Sequence, residues 1–230
     1  MTTDADASDS TDDSRASAPE PFPPAPPVAR EVFSAEVVAR LAAFGEKLAT
    51  DGVIRGLIGP REVPRLWDRH LLNCAALAEL LHPGERVADI GTGAGLPGLV
   101  LPLVRDDICI ILIEPLQRRT DFLHEMIAHF SLQKRVTVQR GKAHMLPPSR
   151  ADVVTSRAVA ALDKLVAWSL PHARIGGRLL AMKGERATAE LAGAQTALAV
   201  FGAQREAQVV SCGAAWLQPP VQVVSAPRRR

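Results

Sequence analysis

The chain has 230 residues, of which 47% are hydrophobic and 23% charged, with a formal net charge of +2. That length and apolar content support one domain with a substantial core; no run is long enough to cross a membrane, and the polar opening MTTDADASDS lacks the apolar centre of a secretory leader. Cys74, Cys109 and Cys212 are odd in number and fall into no CxxC or Cys/His spacing, which argues against a disulfide framework or a zinc site and fits a reducing cytoplasm with no metal expected.

Residues 1–30 hold six of the acids (Asp4, Asp6, Asp9, Asp12, Asp13 and Glu20), two basic residues (Arg15 and Arg30) and the run PEPFPPAPP. So few apolar groups cannot offset the entropy of ordering, and proline cannot donate backbone hydrogen bonds, so this segment is expected to be a disordered tail. Without it, residues 31–230 carry 25 basic against 19 acidic side chains, a net +6 that suits a polyanionic partner without requiring one. From Phe33 the spacing of Val37, Val38, Leu41, Phe44 and Leu48 predicts a helix capped by Ser34 and stopped near Gly52; a second helix is expected over residues 65–81, ended by Pro83-Gly84. Residues 31–84 are therefore expected to form a helical extension ahead of a domain at 85–226, with a loose basic end at 227–230.

Beyond residue 84 apolar runs alternate with helical stretches. Strands are expected at 87–90, 108–114, 136–139, 152–156, 178–182, 207–211 and 221–225, and helices at 96–104, 117–130, 162–173 and 187–201. Strands separated by helices imply an α/β fold, a seven-stranded and mostly parallel sheet covered on both faces, with ligands outside the carboxyl ends of its strands.

The loop after the first of these strands reads VADIGTGAGLPG, residues 87–98. Glycine lets backbone approach a ligand closely and adopt positive φ, and Gly93, Gly95 and Gly98 formally satisfy GxGxxG, so a dinucleotide and S-adenosylmethionine both stand as ligands. Asp89, two residues before Gly91, favours the second: an acid there suits the cationic amino-acid end of S-adenosylmethionine and repels a pyrophosphate. Glu114, closing the next strand, is placed to accept from two ribose hydroxyls and does not discriminate. Each of these residues alone reads equally well as turn chemistry; in order and at strand ends, they favour a cofactor site.

Further motifs carry a resemblance. RLWDRHLLNC (65–74), DIGTGAGLPG (89–98), IEPLQRRTDFL (113–123), TSRAVAALDKL (155–165) and LLAMKG (179–184) occur in the order seen in the RsmG family, also called GidB. The similarity spans residues from about 35 to 212. It implies a Rossmann-like class I S-adenosylmethionine-dependent methyltransferase fold, and an enzyme that methylates N7 of a guanine in the decoding-region hairpin of 16S rRNA. By that resemblance Gly91, Gly93 and Leu96 line the cofactor with Asp89, Glu114 holds its ribose, Lys142 and Ala143 flank the adenine, and Arg157 completes the site. One departure stands out: Leu57-Ile58-Gly59-Pro60 occupies the region where the family often has Asn-Leu-Thr.

Arg157 follows the apolar run ADVVTS, where a charge must reach water, a ligand, or an acid such as Asp89 or Glu114. Because guanine N7 carries a free lone pair, the implied reaction needs no general base, and no catalytic acid or base is assigned; alignment and electrostatics suffice. For the RNA of the small ribosomal subunit, Arg65, Arg69, His70, Arg118, Arg119 and Lys183 form the expected phosphate-contacting rim, although each alone is also an ordinary solvated charge, and His70 equally a core hydrogen-bonding group. A monomer is expected. A small-molecule methyltransferase and a cofactor-sensing ribosome-binding module without turnover remain the competing classes.

Overall fold

In a computed structural model, residues 21–230 are described. Seven strands form one sheet in the order β3-β2-β1-β4-β5-β7-β6. They are β1 (Arg86–Ile90), β2 (Cys109–Glu114), β3 (Val136–Arg140), β4 (Ala151–Arg157), β5 (Ala173–Lys183), β6 (Gln208–Cys212) and β7 (Val221–Pro227). The first five run parallel, and β7 is antiparallel to both β5 and β6. The chain moves outward from β1 to β3, then restarts at β4 on the other side of β1. The crevice at that reversal is where open parallel sheets bind ligands.

Strict alternation along the central strands divides the interior in two. Val87, Ile110, Leu112, Val153, Leu180 and Val223 face one apolar core, while Ala88, Ile111, Ile113, Val154, Leu179 and Val224 face the other. The first core is closed by α2 (Ala35–Lys47), a helical rod over residues 60–80, α4 (Val100–Val104) and α5 (Gln117–His129). The second is closed by α6 (Leu162–Ser169), α7 (Ala187–Gly193) and α8 (Gln195–Val200). Leu41, Phe44, Leu66, Trp67 and Leu71 thus share a core with the sheet, so the amino-terminal helices are one of its covering layers.

Ser34 caps α2 as expected, its Oγ accepting from the Val37 N–H. The rod is less regular than its apolar spacing implies: a tight 3-10 segment at Pro60–Arg65, a wide π segment at Leu66–Leu71, α3 (Leu72–Ala76) and a second 3-10 turn at Leu77–Leu80. The expected helix at 96–104 starts only at Val100, because residues 91–99 form turns containing a cis Leu96-Pro97 peptide. The helix expected to reach residue 173 ends as α-helix at Ser169 and tightens into a 3-10 turn at Leu170–His172, where Pro171 has no N–H to continue the α-helical ladder, and β5 begins at Ala173. The expected helix at 187–201 breaks at Ala194 into two.

Both ends of the chain correct the expectation of loose termini. Phe22 stacks on Trp67 with ring centroids 5.9 Å apart, the Trp67 indole donates to the Pro23 carbonyl at 3.0 Å, and α1 (Pro27–Val32) buries Ala29 completely. The prolines that cannot join a sheet instead preset an extended segment whose carbonyl meets an indole donor, so the expected tail does not reach residue 30; residues 1–20 lie outside those described. At the other end Arg228 donates to the Pro171 carbonyl at 2.9 Å, Arg229 pairs with Glu206, and Arg230 donates to the Val200 carbonyl at 3.2 Å. The basic end is tied across the second core's helices.

Candidate functional site

The carboxyl ends of β1, β2 and β4 meet at the glycine turn. Gly91, Gly93 and Gly95 all have positive φ (66°, 60° and 91°), the left-handed region where a Cβ is costly. A Cβ on Gly91 would come within 2.7 Å of Val159 Cγ2, and one on Gly98 within 2.6 Å of Asp89 Oδ2. Gly93 differs: its Cβ would meet nothing closer than 3.9 Å, so its turn faces open space.

Two carboxylates flank this turn. Asp89 is fully buried and its Oδ2 accepts from the Gly98 N–H at 2.8 Å, while Oδ1 has no hydrogen-bond partner. Burial pushes its carboxyl up to about 6, offset first by the neighbouring Thr92 hydroxyl, which stands short of hydrogen-bonding geometry, and then by the Gly98 N–H. An uncompensated carboxylate oxygen beside a bare turn fits a cationic ligand group such as the α-ammonium of an amino acid. Glu114 is 1% exposed and held on both oxygens, Oε2 by the Gly93 N–H and Oε1 by the Leu116 N–H, each at 3.0 Å. Each oxygen retains accepting capacity, so the fixed carboxylate can take two further hydrogen bonds, as from a vicinal pair of hydroxyls. Leu96, within the same turn, is 7% exposed.

Arg119 Nη1 lies 3.5 Å from Glu114 Oε2, and its Nε is buried without a partner. Expected on the RNA rim, it instead leans on the Glu114 carboxylate; the first turn of α5 carries it over the end of β2. Its neighbour Arg118 is exposed. On the far side, Ala143 is buried and its carbonyl accepts from His172 Nε2 at 2.8 Å, fixing the turn after β3, while Lys142 projects to solvent.

Arg157 pairs with neither Asp89 nor Glu114. Its guanidinium donates to the Arg69 carbonyl at 3.0 Å, to Cys74 Sγ at 3.6 Å and to His70 Nδ1. Since arginine only donates, His70 Nδ1 must carry a lone pair, so the proton sits on Nε2 and is given to Glu62 Oε2 at 2.9 Å. Burial, with Arg157 beside it, holds the His70 pKa below the ordinary range, and the His70 hydrogen bond lowers that of Glu62. His70 is therefore a neutral link between the helical layer and the end of β4, with its two ring nitrogens turned to Glu62 and Arg157. Burial also raises Cys74 to about 11, which leaves no reactive thiolate there.

Of the remaining rim residues, Arg65 is exposed, and Arg69 is 59% exposed with Glu62 Oε1 at 3.3 Å. Lys183 corrects its expectation: with only 8% of its side chain exposed, it donates to the Ala160 carbonyl at 2.9 Å and to Glu190 Oε2 at 2.7 Å. A lysine closing a buried strand has to find such partners, so it is a wall of the site and no free phosphate contact. Glu62, Asn73, Val159 and Glu190 escaped the sequence reading. Glu62 stands seven and eight residues before Arg69 and His70, two helical turns, so its spacing was legible; the other three are assembled by the fold. Among the described residues there is no cluster of potential metal ligands and no helix long and apolar enough to cross a membrane.

Comparisons with known proteins agree with this geometry. The family model GidB, rRNA small subunit methyltransferase G, matches residues 38–218. A ribosomal RNA small subunit methyltransferase G of Mycolicibacterium smegmatis is 51% identical over 210 residues, covering 90% of this chain and 88% of the relative. That of Salinispora tropica is 47% identical over 217 residues, covering 91% and 89%. Among solved structures, a putative S-adenosyl-L-methionine-dependent methyltransferase from Methanococcus maripaludis superposes with a TM-score of 0.54 at 14% identity, covering 81% of this chain and 94% of the other. P. horikoshii TYW2, solved in complex with MeSAdo, gives 0.54 at 17% identity, covering 70% and 63%. These two share the fold.

Proposed function

Because the chain belongs to the rRNA small subunit methyltransferase G family, we propose that it methylates N7 of a guanine in the 16S rRNA of the small ribosomal subunit, with S-adenosylmethionine as its cofactor. The observation that carries the cofactor reading is the pair of buried carboxylates around the bare turn, Asp89 with an unpartnered oxygen and Glu114 locked by two backbone N–H groups. In this reading Asp89 faces the ammonium group, Gly91, Gly93 and Leu96 form the bed of the ligand, and Glu114 takes the ribose hydroxyls. Lys142 and Ala143 border the adenine, and Arg157, steadied by His70 and Glu62, closes the site at the end of β4.

When bound, S-adenosylmethionine supplies a sulfonium methyl group; the N7 lone pair forms the new bond to carbon as the carbon–sulfur bond breaks and its electrons stay on sulfur. No proton has to leave N7, so the residues need only hold both partners in line and keep water out. The reaction needs no general base, and the two carboxylates at the turn are assigned to the cofactor. Arg65, Arg69 and Arg118 are the side chains assigned to phosphates. A ribosomal substrate supports a cytoplasmic location for this work, and the proposal takes the acting unit to be a monomer.

Transfer of a labelled methyl group to small subunits or naked 16S rRNA, followed by mapping of the modified base, tests the proposal. Label at guanine N7 supports it. Absence of label from both substrates overturns it, and a small-molecule methyltransferase would give that result.

A further inference from the structure

A second concavity adjoins the glycine turn. It has a volume of ≈ 720 Å³ and opens between the ends of β4 and β5 and helix α7, with Asn73, Arg157, Val159, Lys183, Arg186 and Glu190 among its walls. That is within the range of pockets that enclose a compact organic ligand, roughly 300–1,000 Å³. Val159 is the partition, because the side chain that lines this cleft is also the one a Cβ on Gly91 would strike. A group held in the cleft is therefore one side chain away from the cofactor turn.

We propose that this cleft receives the target guanine and that Glu190 reads it by accepting from its N1–H and exocyclic N2–H groups. The proposal rests on the methyltransferase reading above and names the residue that selects the base. Glu190 is prepared for the task. Its Oε2 accepts from Lys183 Nζ at 2.7 Å and from the Leu162 N–H at 3.2 Å, which pins the carboxylate to the end of β5 and the start of α6. Lys183 is in turn fixed by the Ala160 carbonyl at 2.9 Å. Oε1 enters no hydrogen bond among the described residues, and the side chain is 25% exposed in the cleft wall. The open Oε1 can accept from two donors that stand side by side on one base edge.

Guanine has that edge, N1–H beside N2–H. Adenine offers no adjacent pair of donors: its N6 amine stands beside the N1 lone pair, which a carboxylate repels, and position 2 carries only a C–H. N7 lies on the opposite side of the purine from N2, so an amino edge turned toward Glu190 leaves N7 free to face away from it. Asn73 and Arg186, in the same walls, are donors available to O6, the acceptor that lies between N1 and N7. The placement also accounts for a buried ion pair at a rim, where a solvated lysine would have served phosphate binding better.

The test crosses two changes, one in the protein and one in the base. Inosine keeps N7, O6 and N1–H but lacks the exocyclic amine. Substrate RNA carrying guanine or inosine at the mapped position, in whichever form the wild-type protein methylates, is compared with the wild type and Glu190→Gln. The wild type should prefer guanine in kcat/KM by roughly tenfold or more, the scale of one well-made base contact. Glu190→Gln should lose activity on guanine and narrow the preference to within about twofold, while calorimetric affinity for S-adenosylmethionine stays within about twofold of wild type. The ratio between substrates does not depend on how much of the variant is folded. An undiminished preference in Glu190→Gln, or a loss of cofactor affinity that parallels the loss of activity, overturns the assignment and leaves the methyltransferase reading intact. Failure of the wild type to methylate guanine sinks both.

Discussion

The two ends of the parallel sheet are built on opposite terms. At the amino ends of the strands, charges and backbone donors are matched. Glu85 accepts from both Nη atoms of Arg178 at 2.6 and 2.9 Å and from the His82 N–H at 2.9 Å; Asp152 accepts from the Arg86 N–H at 2.8 Å and Arg174 Nε at 2.7 Å; Asp107 accepts from the Gly84 N–H at 3.0 Å and from Arg105. At the carboxyl ends, Asp89 Oδ1, Thr92 Oγ1 and Arg119 Nε are buried without hydrogen-bond partners. The same sheet shows that this sequence can satisfy its strand ends. Under the proposed function, the unsatisfied end is a property of the site, and its missing partners are those the bound cofactor would supply.

Filling the unsatisfied end should separate function from stability most sharply at Gly93. Its Cβ position is open, so Gly93→Ala should cost only the left-handed strain, about 1–2 kcal/mol. If the cofactor occupies that space, its affinity should fall by about thirtyfold or more, ~2 kcal/mol. Calorimetric titration beside thermal unfolding checks both; an affinity within twofold of wild type would move the ligand off the turn.

Asp89 tests the electrostatic half of the comparison. With its carboxyl raised to about 6 from an ordinary value near 3.8, the folded protein binds a proton there that the unfolded chain has released. Stability from this group is thus fully present below pH 4, declines as pH rises toward 6 and is flat above. Asp89→Asn removes the buried charge and should raise unfolding free energy at pH 7 by about 2–3 kcal/mol relative to the pH 4 comparison. It should also weaken S-adenosylmethionine by about tenfold and flatten the fall in affinity that the wild type shows below pH 6. Urea unfolding and calorimetry across pH 4–7 read the two effects; a variant that is less stable at pH 7 and binds normally would refute the assignment.

The matched end should give the mirror image. Glu85→Ala leaves the mostly buried Arg178 guanidinium and the His82 N–H without a carboxylate, which should cost roughly 2–3 kcal/mol of stability with cofactor affinity unchanged once the protein is folded. A parallel loss of affinity would show that the two ends are coupled through the strands.

What was legible in the sequence follows the distance over which each feature is assembled. Asp89, the glycines and Glu114 lie at strand ends, where a strand period and turn chemistry place them with no knowledge of distant contacts. The seven strands were legible for the same reason; β5 starts at Ala173, five residues before the expected 178, beside a register irregularity in β4, and helix boundaries moved where proline or a turn intervened. Arg157 was seen as a charge needing a partner, but His70 lies 87 residues away and was out of reach of any local rule. Glu190 is seven residues beyond Lys183, a helical spacing that here joins a strand to a helix, so periodicity could not pair them. The packed segment around Phe22 was lost because composition speaks for a whole stretch, while one aromatic stack on Trp67 decides its fate.

The smallest effect distinguishes two adjacent arginines that the sequence presents as equivalent. Arg118 is exposed, whereas Arg119 reaches back to Glu114 at 3.5 Å with two thirds of its side chain covered. If the rim binds phosphates through exposed cations, Arg118→Ala should weaken RNA by only about two- to fivefold, reduce the slope of log affinity against log salt by about 0.7–0.9, and leave the cofactor untouched. If Glu114 takes the ribose as proposed, Arg119→Ala should instead weaken S-adenosylmethionine, because it removes the cation 3.5 Å from that carboxylate, and should alter the salt slope less. RNA binding at several salt concentrations, beside calorimetry, reads both variants. Identical salt slopes and identical cofactor losses would mean that α5 presents a single basic patch, and that the line between the satisfied and the unsatisfied parts of the molecule does not run between these two residues.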